Sequence, residues 1–217
     1  MKKNSIELEI RGEVRPREIH VLTKRLLSMG FKPLSTTRRT SVMSFGTVSG
    51  RGLEYARMTP NDVDVRCRIT NGIAEVVTKV GLTSAANRTE VSVPVSLRDM
   101  LRFTQLFGAM PFFTKVGSKI TTNLTRGQIV ISFVKSPSGL AYIEIEKMTE
   151  PTKERKDLSA LNEIANALNI TLWKTHAQFI AFCDRLTNED DWVFHGTKED
   201  MKRLRQEIQK TRSDKRR

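Results

Sequence analysis

Cysteine is scarce in this sequence, as are aromatic residues and long apolar runs. The only two cysteines, Cys67 and Cys183, each lie on an apolar stripe, so we interpret them as small core residues rather than as a disulfide or metal ligands. The three histidines are scattered, which excludes the Cys/His spacing of a zinc site. No apolar run approaches the roughly 20 residues that span a bilayer, and the N-terminus lacks the apolar segment of a signal peptide. These absences predict a cytoplasmic protein that does not enter a membrane.

Positive charge is abundant. The chain of 217 residues has 37 Lys and Arg against 24 Asp and Glu, a net charge of +13. The segment 188–217 carries a net charge of only +2, so most of the excess belongs to the rest of the chain. This distribution predicts a polyanionic partner, either nucleic acid or a small phosphate-rich ligand. A basic surface that serves only solubility is the alternative.

Alternation of apolar and charged residues predicts several β-strands. The predicted strands are 6–11, 39–45, 63–69, 73–80, 88–93 and two or three strands within 111–147, the last of them at 140–146. Asn71-Gly72 predicts a two-residue hairpin turn. Residues 46–62 are predicted to form a loop because they are rich in Gly, Ser and Asn.

Helical spacing of apolar residues predicts the helices. They begin near Pro16, at Ser96, at 157 and near Thr197, and the first is predicted to stop at Gly30. Ser96-Leu97-Arg98-Asp99 resembles a capping box, and the pattern that begins at 157 continues to 186. We predict one domain over 1–187 and a basic helical extension over 188–217.

The charged faces of the predicted strands are almost purely ionic, and the two signs are segregated. The first and last strands carry the carboxylates Glu7, Glu9, Glu144 and Glu146, whereas the middle strands carry Arg66, Arg68, Lys79 and Arg88. Carboxylates at positions i and i+2 project to the same side of a strand and can supply the hard oxygen ligands that Mg²⁺ or Mn²⁺ prefers. Arg and Lys supply the donors that a triphosphate needs. A solvent-facing side of the sheet is the alternative, but this segregation favours a charged interior that binds an anion and a metal.

The motifs that carry this charge resemble, in order, those of the CYTH (triphosphate tunnel) superfamily. Ile6–Arg11 resembles the E-x-E-x-K signature of the family, Asp64–Arg68 its "LRIR" strand, and Thr78-Lys79 the "K" strand that follows. Arg88–Glu90 resembles the start of its R-x-E-x-E motif, and Tyr142–Glu146 resembles its "hEhE" strand. Its "LGI…KSY" ending is matched by two segments, Ala167–Ile170 and Lys174–His176. The resemblance covers about residues 5–186.

The resemblance implies an α+β fold. Its centre is a closed, mostly antiparallel eight-stranded β-barrel, the triphosphate tunnel, with flanking helices and, in this chain, a C-terminal basic helix. It also implies roles for individual residues. The catalytic carboxylates would be Glu7, Glu9 and Glu90, and Mg²⁺ or Mn²⁺ would be held by Glu7, Glu9, Glu144 and Glu146. The phosphate-binding residues would be Arg11, Arg66, Arg68, Lys79, Arg88, Lys115 and Lys119.

Three departures separate this chain from the pattern of the family. Arg11 replaces the usual Lys, Ser92 stands where the second Glu of R-x-E-x-E is expected, and Val134 stands where an acidic residue usually precedes the last strand. Glu7, Glu9, Glu144 and Glu146 would still hold one metal ion, because Mg²⁺ usually needs only one or two carboxylates plus phosphates and water.

Three functions follow from the resemblance and its departures. The first is metal-dependent hydrolysis of an inorganic, nucleotide, thiamine or RNA 5′-triphosphate. The second is cyclisation of ATP by a class IV-type adenylate cyclase, and the third is non-catalytic binding of a phosphorylated ligand or RNA by a degenerate tunnel. The terminal segment 202–217, with eight Lys and Arg against two acidic residues, is interpreted as a helix docked on the barrel or, alternatively, as a non-specific nucleic-acid contact.

Overall fold

The chain is organised as two units. The computed structural model describes residues 6–49, 52–55, 63–80, 89–110 and 112–213. Unit 1 consists of Met1–Thr36 and Ile120–Phe179, and unit 2 consists of Thr37–Lys119 and Ile180–Arg217. Each unit is therefore built from two separated stretches of chain, and neither corresponds to a continuous segment of the sequence. The predicted boundary at residue 187 stays a prediction.

The described residues form ten strands and five α-helices. The strands are β1 (Ile6–Val14), β2 (Lys32–Ser49), β3 (Gly52–Tyr55), β4 (Val63–Thr70), β5 (Ile73–Val80), β6 (Thr89–Pro94), β7 (Phe113–Arg126), β8 (Ile129–Lys135), β9 (Ala141–Thr149) and β10 (Trp192–Val193). The helices are α1 (Ile19–Ser28), α2 (Leu97–Ala109), α3 (Glu154–Ala167), α4 (His176–Glu189) and α5 (Lys198–Ser213). None of these helices is both long enough and apolar enough to cross a bilayer.

The strands join in the order β1-β9-β8-β7-β2-β4-β5-β6, with β3 paired to β2 and β10 paired to β7. The pairings within the two units, such as β1–β9, β8–β9 and β4–β5, are antiparallel. The predicted α+β class and mostly antiparallel sheet are therefore confirmed. The predicted eight-stranded closed barrel is not confirmed, because the described strands join as a sheet of ten strands.

Unit 1 buries one apolar cluster between its strands and helices. In β1, Leu8 is buried and Ile10 packs against the same cluster, whereas the intervening Glu7, Glu9 and Arg11 belong to the opposite face of the strand. Further members come from the helices and from β8 and β9: Leu22, Leu26, Phe133, Ile143, Ile145, Leu161 and Ile164. The alternation in β1 and β9 thus buries one face of each strand and leaves their charged residues together on the other.

A close approach at Gly12 ties β1 to the segment that follows α3. Gly12 forms a bridge with Leu172, and the Trp173 backbone N–H donates to the Arg11 carbonyl oxygen at 2.9 Å. A Cβ at residue 12 would collide with the carbonyl oxygen of Thr171, so this approach requires glycine. The contact fixes Trp173 beside the charged face of β1.

Unit 2 likewise separates an apolar face from a charged face. In β4, Cys67 and Ile69 are completely buried in an apolar cluster, whereas Asp64, Arg66 and Arg68 alternate with them. The remaining buried members of the cluster come from β2, β5, β7, α2, α5 and the residue after β10: Val42, Ala74, Met100, Val116, Phe194, Met201, Leu204 and Ile208. Cys67 is therefore the core residue that the sequence predicted, Cys183 is half-buried, and the two cysteines do not form a disulfide.

Helix α5 docks on unit 2 through the apolar seam that the sequence shows. Met201, Leu204 and Ile208 are buried in the apolar cluster, and the hydroxyl groups of Thr211 and Thr40 form a hydrogen bond of 2.8 Å. The Lys and Arg residues of α5 occupy the rest of its surface, where Arg203 lies over the Trp192 ring at 4.3 Å from its centroid. For the residues that the structure describes, the helix with a buried apolar seam is confirmed, whereas docking on a barrel stays a prediction.

Local sequence signals predicted several elements correctly. Asn71 and Gly72 form the β4–β5 turn with positive φ angles of 49° and 88°, which these two residue types tolerate. The Ser96 hydroxyl accepts a hydrogen bond from the Asp99 backbone N–H at 3.1 Å, which caps α2. The first helix ends just before Gly30, whose φ is 84°.

Two predicted elements were wrong. Residues 46–62 are not one loop, because β2 continues to Ser49 and pairs with β3 as an antiparallel hairpin. The small residues of this stretch conceal the alternation that would have marked the strands. The helical pattern over 157–186 is also not continuous, because Asn169 adopts a positive φ of 56° after α3 and α4 begins only at His176.

Candidate functional site

In unit 1, the predicted metal-binding carboxylates lie on the paired strands β1 and β9. The register places Glu9 opposite Glu146 and Arg11 opposite Glu144, and directly opposed residues share one face of an antiparallel pair. Glu7 lies two residues before Glu9 and therefore belongs to the same face of β1. These five residues are called the β1–β9 cluster below.

Arg11 is held by two of these carboxylates. Its Nε donates to Glu9 Oε1 at 2.7 Å and to Glu144 Oε1 at 3.2 Å, and its Nη2 donates to Glu9 Oε2. All three side chains are mostly buried, so these charge-assisted hydrogen bonds are poorly screened by water. The glutamates also raise the pKa of Arg11 despite its burial. Arg11 therefore stays charged and compensates part of the negative charge of the cluster.

Carboxylates are crowded in the β1–β9 cluster. Burial and then the charge of Glu144 raise the pKa of Glu9 to about 8, although Arg11 acts in the opposite direction. Burial and then the charges of Glu7 and Glu144 raise the pKa of Glu146 to about 7. A raised pKa means that the ionised form of each carboxyl group is less stable here than in water. A bound cation would relieve this crowding.

The donors of the β1–β9 cluster fit a metal ion that is held by few protein ligands. In the described ranges, no three Asp, Glu, His or Cys side chains are arranged as a complete metal-binding set. The carboxyl groups instead lie close in pairs, since Glu144 raises the pKa of Glu9 and Glu7 raises the pKa of Glu146. Mg²⁺ usually binds one or two carboxylates and completes its shell with water and phosphate oxygens, so either pair is chemically suitable.

Three aromatic rings extend along the β1–β9 cluster. The centroids of Tyr142 and Trp173 are 6.0 Å apart, and those of Trp173 and Phe179 are 5.5 Å apart. The Arg11 guanidinium lies 5.2 Å from the Phe179 centroid, which is within the range of a cation–π interaction. Sequence reasoning missed the part played by Trp173 and Phe179, although both flank the Lys174-Thr175-His176 motif. The rings reduce the water around Arg11 and thereby strengthen its contacts with the glutamates.

In unit 2, the basic residues of β4 are paired with carboxylates. Arg66 donates to Asp64 through Nε at 2.8 Å and through Nη2 at 2.6 Å, and Asp64 is completely buried. Arg68 Nε donates to Glu75 Oε1 at 2.6 Å, and Glu75 lies directly opposite Arg68 on β5. Sequence reasoning missed Glu75, because its role depends on the strand register.

Ser92 also contacts Glu75. Its hydroxyl donates to Glu75 Oε2. Residue 92, where the CYTH resemblance expects a glutamate, therefore lies next to the carboxylate of Glu75 on the neighbouring strand β5. Burial would raise the pKa of Glu75, but the hydrogen bonds from Arg68 and Ser92 and the charges of Arg68 and Arg39 outweigh burial and lower it. Glu75 is therefore ionised at neutral pH.

The two predicted lysines of β7 lie near a buried aspartate that sequence reasoning also missed. Lys115 Nζ donates to the Thr187 hydroxyl at 2.8 Å and lies 2.8 Å from Asp191 Oδ2. The Asp191 carboxylate sits against Gly117, where a Cβ would collide with it. Burial lowers the pKa of Lys119, and Asp191 opposes this shift. The signal for Asp191 is weak, because it lies in an acidic run and far from β7 in sequence.

The structure therefore brings the predicted residues together in two sets. The β1–β9 cluster is in unit 1, and Arg66, Arg68, Lys115 and Lys119 are in unit 2. The strand registers place Lys79 opposite both Asp64 and Glu90, but the side chains of Lys79 and Glu90 lie outside the described part. Arg88 also lies outside the described residues.

Comparison with known proteins identifies relatives by fold alone. No family model matches the chain, and no curated protein matches it in sequence. A Pyrococcus horikoshii protein of solved structure is 16% identical, with a TM-score of 0.59 over 76% of this chain and 92% of its own. A candidate adenylate cyclase of Vibrio parahaemolyticus is 12% identical, with a TM-score of 0.59 over 81% of this chain and 97% of its own. A second Pyrococcus horikoshii protein is 15% identical, with a TM-score of 0.55 over 82% and 99%.

These likenesses show a shared fold. They extend over nearly the whole length of the solved proteins and are likenesses of fold. Function has to be argued from the residues of this chain.

Proposed function

We propose that this chain is a metal-dependent phosphohydrolase that acts on a triphosphate. The proposal is carried by the β1–β9 cluster, in which four carboxylates and Arg11 share one face of a strand pair. Substrates in keeping with it are inorganic tripolyphosphate, a nucleotide, thiamine triphosphate and an RNA 5′-triphosphate. The closed tunnel that the CYTH resemblance implies is part of the proposal, as is a cytoplasmic location, in keeping with two cysteines that do not form a disulfide.

The carboxylates have a defined part in this proposal. Of Glu7, Glu9, Glu144 and Glu146, one or two at a time would hold Mg²⁺ or Mn²⁺, which neutralises phosphate charge and lowers the pKa of bound water. Arg11 would exchange its hydrogen bonds with Glu9 for hydrogen bonds with a phosphate oxygen. The exchange leaves Glu9 available as a ligand and keeps the Arg11 charge compensated. Glu90 is retained from the CYTH resemblance as a third catalytic carboxylate.

The basic residues would bind the phosphate chain. Arg66 and Arg68 are oriented by Asp64 and Glu75, and such preorganisation reduces the entropy that binding costs. The remaining assignments, Lys79, Arg88, Lys115 and Lys119, rest on the CYTH resemblance. Phosphoryl transfer needs mainly positioning and charge neutralisation, and guanidinium groups that are held in place supply both.

Phosphate release from a panel of triphosphates tests the proposal. We expect turnover of at least one of tripolyphosphate, ATP, thiamine triphosphate and 5′-triphosphate RNA with Mg²⁺ or Mn²⁺, and none in EDTA. The control is Glu163→Gln, an exposed glutamate of α3, which should leave the rate unchanged. Metal-independent binding of tripolyphosphate without turnover would replace the proposal by the non-catalytic tunnel.

Cyclisation of ATP is a second candidate. It is favoured by the shared fold with the candidate adenylate cyclase of Vibrio parahaemolyticus. The same panel separates the two reactions, because a cyclase releases pyrophosphate and a cyclic nucleotide from ATP and does not consume tripolyphosphate. Formation of cyclic AMP without release of orthophosphate would establish the cyclase.

We also propose that α5 adds non-specific affinity for RNA. Lys202 and Arg205 are exposed while the apolar seam of the helix is buried, so their charges can be removed without undocking it. The double variant Lys202→Gln with Arg205→Gln should lower the slope of log affinity against log salt by about 1.4 for single-stranded RNA. Filter binding at several salt concentrations measures this slope.

The matched control for the α5 variant removes two basic residues from unit 1. Lys24→Gln with Lys156→Gln changes the net charge equally at exposed positions of α1 and α3. Equal slopes for the two double variants would assign the RNA affinity to net charge rather than to α5.

A further inference from the structure

The carboxylate of Glu75 connects three neighbouring strands on the charged face of unit 2. Glu75 is on β5, its Oε1 accepts from Arg68 on β4 at 2.6 Å, and its Oε2 accepts from Ser92 on β6. The registers account for this geometry, since Glu75 is opposite Arg68 and Ser92 is opposite Val77, two residues from Glu75. Both oxygens of one carboxylate are thus engaged.

Ser92 connects this hydrogen-bonded arrangement to the CYTH resemblance. The CYTH resemblance expects a glutamate at residue 92, and this chain has a serine there. A glutamate at 92 would project from β6 toward the place that the Glu75 carboxylate now occupies, because Ser92 already reaches that carboxylate. The negative charge that a glutamate at residue 92 would place on β6 is therefore supplied by Glu75 on β5.

The Arg68–Glu75 pair is suited to positioning a guanidinium group. The side chains of Arg68 and Glu75 are only 13% and 19% exposed, so their interaction is stronger than that of a surface ion pair. Arg39, from β2, adds a second positive charge close enough to lower the pKa of Glu75. The group of Arg39, Arg68 and Glu75 keeps a net positive charge, as an anion-binding site requires.

We propose that Glu75 is the positioning residue that replaces the acid missing at residue 92. It orients the Arg68 guanidinium for a phosphate group of the substrate, and Ser92 orients Glu75. The inference rests on the proposed function, because it assigns Arg68 a phosphate to bind. A cross-strand ion pair that only stabilises the sheet is the competing explanation.

An exchange of the two side chains tests the inference. Glu75→Gln keeps an acceptor but removes the charge, and Glu75→Ser combined with Ser92→Glu returns the charge from the neighbouring strand. Tripolyphosphate affinity is measured by calorimetry with Mg²⁺, and thermal unfolding is followed in parallel. We expect Glu75→Gln to weaken binding about tenfold, which corresponds to about 1.4 kcal/mol, and the exchange variant to recover to within about threefold of the parent.

The surface pair Arg15–Glu18 provides the matched control. Its side chains are 69% and 47% exposed, and Glu18→Gln should change neither affinity nor stability. A folded Glu75→Gln protein with unchanged affinity would overturn the inference, and so would an exchange variant that regains thermal stability but not affinity. If the exchange variant does not fold, the NMR signal of the Arg68 Nε–H group decides. Its protection from exchange with water should be lost in Glu75→Gln, and unchanged protection would overturn the inference.

Failure of the proposed function gives a different result. The parent protein would then release no phosphate from any triphosphate of the panel, and if it also bound no tripolyphosphate, Arg68 would have no phosphate to bind. Binding by the parent, together with no effect of Glu75→Gln, would refute only the role of Glu75.

Discussion

Replacing Glu9 by glutamine is expected to reduce metal-dependent turnover by at least about 100-fold, because a lost metal ligand removes several kcal/mol of charge stabilisation. The same change should alter how the stability of the metal-free protein depends on pH. In the folded protein the pKa of Glu9 is raised to about 8 from an ordinary value of 4.5. The folded state therefore retains a proton that the unfolded state releases.

The sign of the pH effect follows from this difference. As the pH rises from about 4.5 to about 8, the unfolded state is favoured, and the free energy of unfolding of the metal-free protein falls. Glu9→Gln carries no titrating group, so its free energy of unfolding should fall less over this interval. Thermal unfolding in EDTA at several pH values measures both dependences. Added Mg²⁺ should stabilise the parent at pH 8 more than the variant.

Glu163→Gln is again the matched control, because it removes a glutamate that is exposed on α3. Its pH dependence and its turnover should equal those of the parent. A Glu9→Gln protein with full turnover would contradict the metal assignment. An unchanged pH dependence would show that Glu9 is not crowded by Glu144 as the structure indicates.

Replacing Lys115 by methionine is expected to cost about 3–5 kcal/mol of stability, because it leaves Asp191 as a buried charge without its partner. The two side chains are only 4% and 1% exposed. The double variant Lys115→Met with Asp191→Asn should recover at least about 2 kcal/mol, since neither member of the pair is then a charge without its partner. Asparagine keeps the shape that fits against Gly117. Urea unfolding measures the free energy of unfolding of each variant.

The exposed pair Lys153–Glu150 is the control for this measurement. Its side chains are 62% and 32% exposed, and Lys153→Met should change the free energy of unfolding by no more than about 1 kcal/mol. If Lys115→Met costs equally little, the pair with Asp191 does not stabilise unit 2. The phosphate-binding role that the sequence assigns to Lys115 would then be the better explanation of its burial.

Alternation and turn chemistry are local, and they predicted the strands that carry the site. Glu7, Glu9 and Arg11 could be assigned to one face of a strand from the sequence alone, because the spacing of two residues determines the face. Their neighbours Glu144 and Glu146 were predicted in the same way. The pairing of β1 with β9 was not predicted, because nothing in either strand encodes its partner.

Contacts that depend on register could not be predicted. Glu75 appears in the sequence as one charge in an apolar strand, and its link to Arg68 and Ser92 exists only once three strands are aligned. Asp191 became significant only through its contacts with Lys115 and Gly117. The hairpin of β2 with β3 escaped prediction because serine and glycine give no hydropathy signal.

The order in which the chain is synthesised gives the β1–β9 pairing a further consequence. Glu9 pairs with Glu146, so β1 leaves the ribosome well over 100 residues before its partner. At typical rates of 5–20 residues per second, β1 waits roughly 7–27 s with its hydrogen-bonding edge unpaired. An unpaired edge is a template for association with other chains, and the alternating glutamates of β1 oppose such association by charge repulsion during that interval. The acidic face of this strand therefore has a use in the nascent chain before any ligand can bind.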